Sequence, residues 1–175
     1  MTELSDQELV ARSINGDNSA FDQLVMRYQL AMYRTALSIV QDSDIAKDVT
    51  QIGFIKSWEK LHTYNVNYRF YSWLYRIIIN ESLNHNRSSK KMELLSSNQK
   101  QTETPHSKLE EKEDHRKLYD SIELLTTDQK IVIHLRHFEE LSYREIADIL
   151  EIDEKTVKSR LYGARMKLRE ILTGR

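Results

Sequence analysis

Apolar residues recur along this chain at three- and four-residue intervals, and nowhere do they alternate with polar ones over the length of a strand. Ser5 with Glu8 reads as a capping box opening a short helix, which Gly16 can close. Ser19 is expected to cap a longer helix whose apolar positions are Phe21, Leu24, Val25, Tyr28, Met32, Ala36, Leu37 and Val40. After a break at Asp42-Ser43, a third helix carries Ile45, Val49, Ile52, Ile55, Trp58 and Leu61. A fourth starts near Phe70 and reaches Asn86, with Phe70, Trp73, Leu74, Ile77 and Ile78 as its buried stripe.

The pattern then lapses. Between Arg87 and His115 the only large apolar residues are Met92, Leu94, Leu95 and Leu109, and the single proline, Pro105, lies here. Such a stretch buries too little surface to offset its ordering entropy. Fully extended, these 29 residues would span roughly 100 Å, and most of them are expected to be a flexible linker, placed at residues 91–115. Periodicity resumes near Arg116. Leu118, Ile122 and Leu125, then Ile131, Val132, Leu135 and Phe138, mark two helices, the second capped by Thr126 or Thr127. Ser142 to Glu145 is another capping box, opening a helix through Leu150, and Asp153 caps a last helix running to about Leu172. The expected fold is all-α, with two small helical domains, 1–90 and 116–175, on either side of the linker.

Composition narrows the chemistry. The 175 residues contain no cysteine, which removes disulfides, thiolate catalysis and zinc–thiolate sites. Four glycines and one proline argue against hairpin-rich sheets and glycine phosphate loops. The longest aliphatic run, Ile77 to Ile79, is far short of a membrane span, and the residues after Met1 lack the basic start and apolar stretch of a signal peptide. A cytoplasmic protein without cofactor or metal is expected.

Net charge of −1 conceals segregation. From Lys155 onward there are seven basic residues against Glu170 alone, a net +6 that leaves −7 for the preceding 154 residues. A polyanion partner at the basic end is one reading, and a solvated basic helix is the other.

Three constellations carry candidate chemistry. Leu141 to Leu161 has the form of a helix-turn-helix: Ile146, Ala147, Ile149 and Leu150 inward, a turn at Glu151-Ile152-Asp153, then Val157 and Leu161 inward. Its second helix turns Lys155, Thr156, Lys158, Ser159, Arg160 and Tyr162 outward, groups suited to phosphates and base edges in a major groove. A helical hairpin with a charged face has the same pattern. Tyr64, Tyr68, Phe70, Tyr71, Trp73 and Tyr75 are six of fifteen aromatics within twelve residues, interleaved with Arg69 and Arg76 and followed by Asn80. One helix face can bury Phe70, Trp73, Leu74 and Ile77, leaving Tyr71 and Tyr75 to point elsewhere. Aromatics beside arginines stack unpaired bases, while the alternative is a tyrosine-rich core edge. Asp44, Asp48 and Gln51 form a polar stripe at i, i+4 and i+7. No histidine or third carboxylate completes a metal or acid–base site there, and Asp44 suits the helix dipole, so a solvated or partner-facing stripe is expected. His134 and His137 lack a Glu-x-x-His context and are read as surface or half-buried residues.

At these positions the chain resembles the extracytoplasmic-function group of bacterial RNA polymerase sigma factors, of the sigma-70 family. The likeness is carried by Ala20-Phe21 to Tyr28, Asp44 to Gln51 with Phe54 and Trp58, Phe70 to Ile77 with Asn80, and Leu125 through Ser142-Tyr143-Arg144-Glu145 to Thr156–Leu161 and Ala164-Arg165. The resemblance implies a domain-2-like bundle followed by a domain-4-like helix-turn-helix bundle, and no enzymatic activity. It implies that Asp44, Asp48 and Gln51 face the clamp of core polymerase. Tyr64, Tyr68, Arg69, Tyr71, Trp73, Arg76 and Asn80 would open and capture the −10 element. Arg144, Lys155, Thr156, Lys158, Ser159, Arg160 and Tyr162 would read the −35 element. It also implies an anti-sigma partner.

Three positions depart from the family pattern: Ile52 replaces a usual Glu, Glu151 stands where Gly is common, and Gly163 replaces a frequent basic residue. The first implies an altered core contact, and the third a looser or different grip on DNA. Without the resemblance, the residues also fit a helix-turn-helix regulator with an N-terminal dimerisation or sensing domain. A small DNA-processing enzyme fits less well, for want of an acidic metal cluster.

Overall fold

The computed structural model describes residues 4–95 and 121–173, and among them every regular element is helical. The chain divides into two compact units, Met1–Ser89 and Lys90–Arg175, each described by itself.

In the first unit, α1 (Asp6–Ile14) opens on the expected Ser5/Glu8 capping box, and Gly16 takes a positive φ of 94° just past its end. Leu9 and Val10 are its buried anchors. α2 (Asn18–Val40) begins at Asp17, not Ser19. Ser19 lies in the first turn and donates its hydroxyl to Asp17 Oδ1 at 2.6 Å, holding that carboxyl below its ordinary range. α3 (Ser43–Lys60) is capped by Asp42, whose Oδ1 accepts from the amides of Asp44 and Ile45 at 2.9 Å.

The face α3 buries differs from the expected stripe: Ala46, Val49, Thr50, Gly53, Phe54 and Ser57 are inside. Ile52, Ile55 and Trp58 are 44 %, 52 % and 40 % exposed. A short 3₁₀ turn (Leu61–Thr63) and an irregular segment, 64–69, lead into α4 (Phe70–Leu95). This helix packs on α3 where Gly53 meets Ile78, and on α2 where Asn86 Nδ2 donates to the Ile39 carbonyl at 3.0 Å. Its core residues are Phe70, Leu74, Tyr75, Ile78 and Ile79, with Trp73 and Ile77 only half-buried, so Tyr75 does not point away from the core as expected.

α4 also runs past Asn86, its expected end, and into the linker expected from 91, because residues 87–95 contain neither Gly nor Pro and several good helix formers. The rest of the expected linker, from 96, lies outside the described residues.

The second unit shows a helical turn at 121–123, then α5 (Thr127–His137), α6 (Tyr143–Leu150) and α7 (Glu154–Thr173). The helix expected around Leu118 falls mostly outside the described residues. Capping boxes at Thr126/Gln129 and Ser142/Glu145 start α5 and α6 as the sequence implies. Val132, Leu135, Ile146, Ile149, Val157, Leu161 and Ala164 fill the core between the three helices. His134 is buried within it, stacked on Phe138 with ring centroids 5.6 Å apart.

Candidate nucleic-acid and protein interfaces

On α3, Asp44, Asp48 and Gln51 are all exposed. Lys47 pairs with Asp44 at 3.0 Å, which raises the lysine's pKa, but the pair is open to solvent and fixes little. Gln51 and Lys47 stand on the edge of a groove of about 840 Å³ between α2 and α3, which sequence reasoning missed. Its walls are mainly apolar: Phe21, Val25, Leu30, Tyr33, Phe54, Ile55 and Trp58. Trp58 sits edge-on to Phe21 with ring centroids 4.9 Å apart. The signal was that α3 carries too many apolar residues for one buried face; periodicity cannot say which face another molecule covers. Ile52, on the same helix, adds a further exposed apolar group beside Asp48.

The aromatic cluster divides into a buried base and an exposed rim. Tyr64 is buried; it lies 5.7 Å edge-on to Phe70 and 5.6 Å from Trp73, and its hydroxyl donates to the Tyr68 carbonyl. Burial raises the Tyr64 pKa, so it remains a neutral donor. That bond and the Tyr68 N–H to Asn65 carbonyl bond, at 3.0 Å, fold 64–68 into a tight arch. The Tyr68 side chain is 63 % exposed at its crest, beside exposed Val66 and Arg69. Arg69 donates to the Tyr71 hydroxyl at 2.8 Å, and its guanidinium lies 5.7 Å from the Tyr71 ring centre. Tyr71, Trp73 and Arg76 are half-buried along α4, and Asn80 is exposed. Of the predicted set, Tyr64 therefore supports the arch, while Tyr68, Arg69 and Asn80 are the members in full contact with solvent. Val66 was not singled out, although it sits between Tyr64 and Tyr68.

In the second unit the turn between α6 and α7 has the inferred geometry. Glu151 is left-handed, with φ 56° and ψ 42°, at a cost of roughly 1 kcal/mol relative to glycine. Asp153 Oδ1 accepts from the Thr156 amide at 2.6 Å, which lowers the aspartate's pKa. Ala147 is buried where α6 and α7 meet. Arg144, Lys155, Lys158, Ser159 and Tyr162 are exposed; Thr156 and Arg160 are half-buried. Tyr143, not predicted to matter, has Arg136 5.2 Å and Lys158 5.8 Å from its ring centre, so two cations are held on the helix-turn-helix. Gly163 faces α5: a Cβ there would lie 3.3 Å from Gln129 Nε2.

These surfaces can bind but show no nucleophile–base arrangement. Among the described residues no group of three or more histidine and acidic side chains is placed to hold a metal, and no helix is long and apolar enough to cross a membrane.

The comparisons follow the same division. A family model described as Sigma-70 region 2 matches residues 24–92, and one described as Sigma-70, region 4 matches 115–168. The chain is similar to the RNA polymerase sigma-H factor of Pseudomonas aeruginosa, 33 % identical over 94 % of this chain and 92 % of the relative. It is also similar to the ECF RNA polymerase sigma-E factor of Haemophilus influenzae, 34 % identical over 93 % of each. Among solved structures, the sigma factor RpoE in complex with the anti-sigma factor NepR from Bartonella quintana aligns with TM-score 0.75 at 25 % identity, over 87 % of this chain and 96 % of that one. CnrH in complex with the cytosolic domain of CnrY aligns with TM-score 0.74 at 26 % identity, over 97 % of each.

Proposed function

Since the chain belongs to the extracytoplasmic-function group of sigma-70 factors, we propose that it works in the cytoplasm by binding core RNA polymerase, directing it to a subset of promoters and promoting DNA melting there. It acts by binding and reorganising partners, not as an enzyme. The observation that carries this reading is the coexistence of three different surfaces on one chain: an apolar groove beside the polar stripe of Asp44, Asp48 and Gln51, an aromatic arch, and a basic helix-turn-helix. A simple regulator has no use for the first two.

Each surface takes one task. Asp44, Asp48 and Gln51, with the groove beside them, contact core polymerase; the exposed apolar side chains gain by being covered, at roughly 25 cal/mol per Å². Tyr68, Arg69, Tyr71, Trp73, Arg76 and Asn80, on the support of Tyr64, hold the unpaired −10 strand by stacking and charge. Arg144, Lys155, Thr156, Lys158, Ser159, Arg160 and Tyr162 meet the −35 element in the major groove. The functional division follows residues 1–90 and 116–175. An anti-sigma protein is the expected regulator, as in the solved relative bound to NepR.

The test is promoter-dependent transcription with purified core polymerase, with and without this protein, on the DNA upstream of its own gene. Specific transcripts only in its presence are the expected result. Silence together with no core binding would return the chain to the class of simple regulators. Asp48→Ala is expected to weaken core association in a competition assay, and equal affinity would reduce the stripe to a solvated face.

A further inference from the structure

The helix α1 has no part in the three surfaces, yet its first residue reaches the foot of the aromatic arch. One carboxylate oxygen of Asp6 is ion-paired with Arg27, and the other accepts the hydroxyl of Tyr28. Arg27 also donates to the Leu4 carbonyl at 2.9 Å. The Tyr28 ring lies 5.9 Å from Phe70, and Phe70 lies 5.7 Å from both Tyr64 and Trp73. Tyr64 in turn holds the Tyr68 carbonyl. A continuous series of contacts thus runs from the Asp6 carboxylate through three aromatic rings to the backbone beneath Tyr68.

Two features set this apart from an ordinary helix-docking pair. Leu9 and Val10 already bury α1 in the core, so anchoring that helix does not depend on the Tyr28 hydroxyl. The bond instead fixes the rotation of a half-buried ring that is packed on Phe70. Binding an unpaired base on a loop loses affinity to whatever ordering the loop still needs, and a ring stack held from below removes that loss.

We infer that Asp6 is a positioning residue for strand capture: through Tyr28 and Phe70 it holds Tyr64, and so the 64–68 arch, in the form that receives an unpaired base. The inference rests on the reading of this arch as the melting element. Asp6 touches no DNA; it acts through the rings.

The experiment uses the full chain with core polymerase on a promoter that the wild-type protein opens, and compares Asp6→Asn, Tyr28→Phe and the double variant. Tyr28→Phe keeps the ring against Phe70 and removes only the hydroxyl, so it tests the relay even where Asp6→Asn loosens α1. Each single variant is expected to lower permanganate reactivity at the start site about five- to tenfold on duplex DNA. Core affinity stays within about twofold of wild type, transcription from the same promoter carrying a pre-melted bubble falls by less than on duplex DNA, and the double variant is no worse than the poorer single. Equal losses on duplex and bubble, lost core binding, additive effects or unchanged duplex opening would each overturn the inference. A wild-type protein that fails to bind core polymerase would instead refute the parent reading.

Discussion

Arg160 on α7 is ion-paired with Asp128 in the first turn of α5, Nη2 to Oδ2 at 2.7 Å. The guanidinium that the helix pattern assigns to DNA is therefore tied back to its own domain, between exposed Lys158 and Ser159 on one side and Tyr162 on the other. The Asp128 side chain is half open to solvent, and such pairs contribute only about 0–1 kcal/mol, so a DNA phosphate can compete for the arginine. Asp128→Asn keeps the size of the side chain, frees Arg160 and removes a negative charge near the recognition helix. It is expected to leave the thermal midpoint almost unmoved and to tighten promoter-duplex binding about two- to fivefold at fixed salt. Weaker binding in an anisotropy titration would mean that Asp128 orients Arg160 for its contact, and the competition argument would fail.

Tyr68 and Trp73 separate two roles that look alike in the sequence. Tyr68 stands exposed on the arch, whereas Trp73 packs on Tyr64 and Phe70. Tyr68→Ala is expected to change stability by less than about 0.5 kcal/mol, as at other exposed sites. It should still lose about 1–3 kcal/mol of single-strand binding, the value of one stacked base. Trp73→Ala should lose both stability and start-site opening while core binding persists. A normal permanganate pattern with Tyr68→Ala would remove the arch from strand capture.

Ile55 tests the groove. It is more than half exposed on its own helix and lines the space between α2 and α3. Ile55→Asp places a charge where the partner must desolvate it, at a position outside the buried core. The expected outcome is at least a tenfold loss of core-polymerase affinity, about 1.4 kcal/mol, with an unchanged far-ultraviolet spectrum. Full retention of affinity would move the interface off the groove and onto the acidic stripe alone.

Local rules made the helices legible. Ser5, Thr126, Ser142 and Asp153 cap where a side-chain acceptor precedes an apolar run, because the cap bond needs only neighbours in sequence; the break at Asp42 proves to be a cap as well, and Ser19 gives way to Asp17. The helix-turn-helix was legible for the same reason, and its turn residue Glu151, which stands where Gly is common, is left-handed. What escaped depends on distant parts of the chain. Asp6 with Arg27, and Arg160 with Asp128, are pairs that no periodicity reports. Ile55 and Trp58 were counted with the core stripe because apolar spacing records hydrophobicity and not its cover. Tyr75 was turned outward on the assumption of a narrow stripe, but a helix packed on two neighbours buries a wider arc.

Gly53 of α3 lies directly against Ile78 of α4. A Cβ built on it would lie 2.2 Å from Cδ1 and 3.4 Å from Cγ1 of the fully buried Ile78. Two effects oppose each other in Gly53→Ala. Helix propensity favours alanine by about 1 kcal/mol. Overpacking costs about 1–3 kcal/mol, because the Ile78 Cδ1 that must shift belongs to a fully buried side chain. Overpacking is expected to win, lowering the thermal midpoint despite the better helix former. Ile78→Val deletes the clashing Cδ1 and by itself costs about 0.5–1.5 kcal/mol. Combined with Gly53→Ala it should cost less than the two singles together, with a coupling of about 1 kcal/mol or more in a double-mutant cycle by chemical denaturation. Simple additivity would place the strain elsewhere than the Gly53–Ile78 contact.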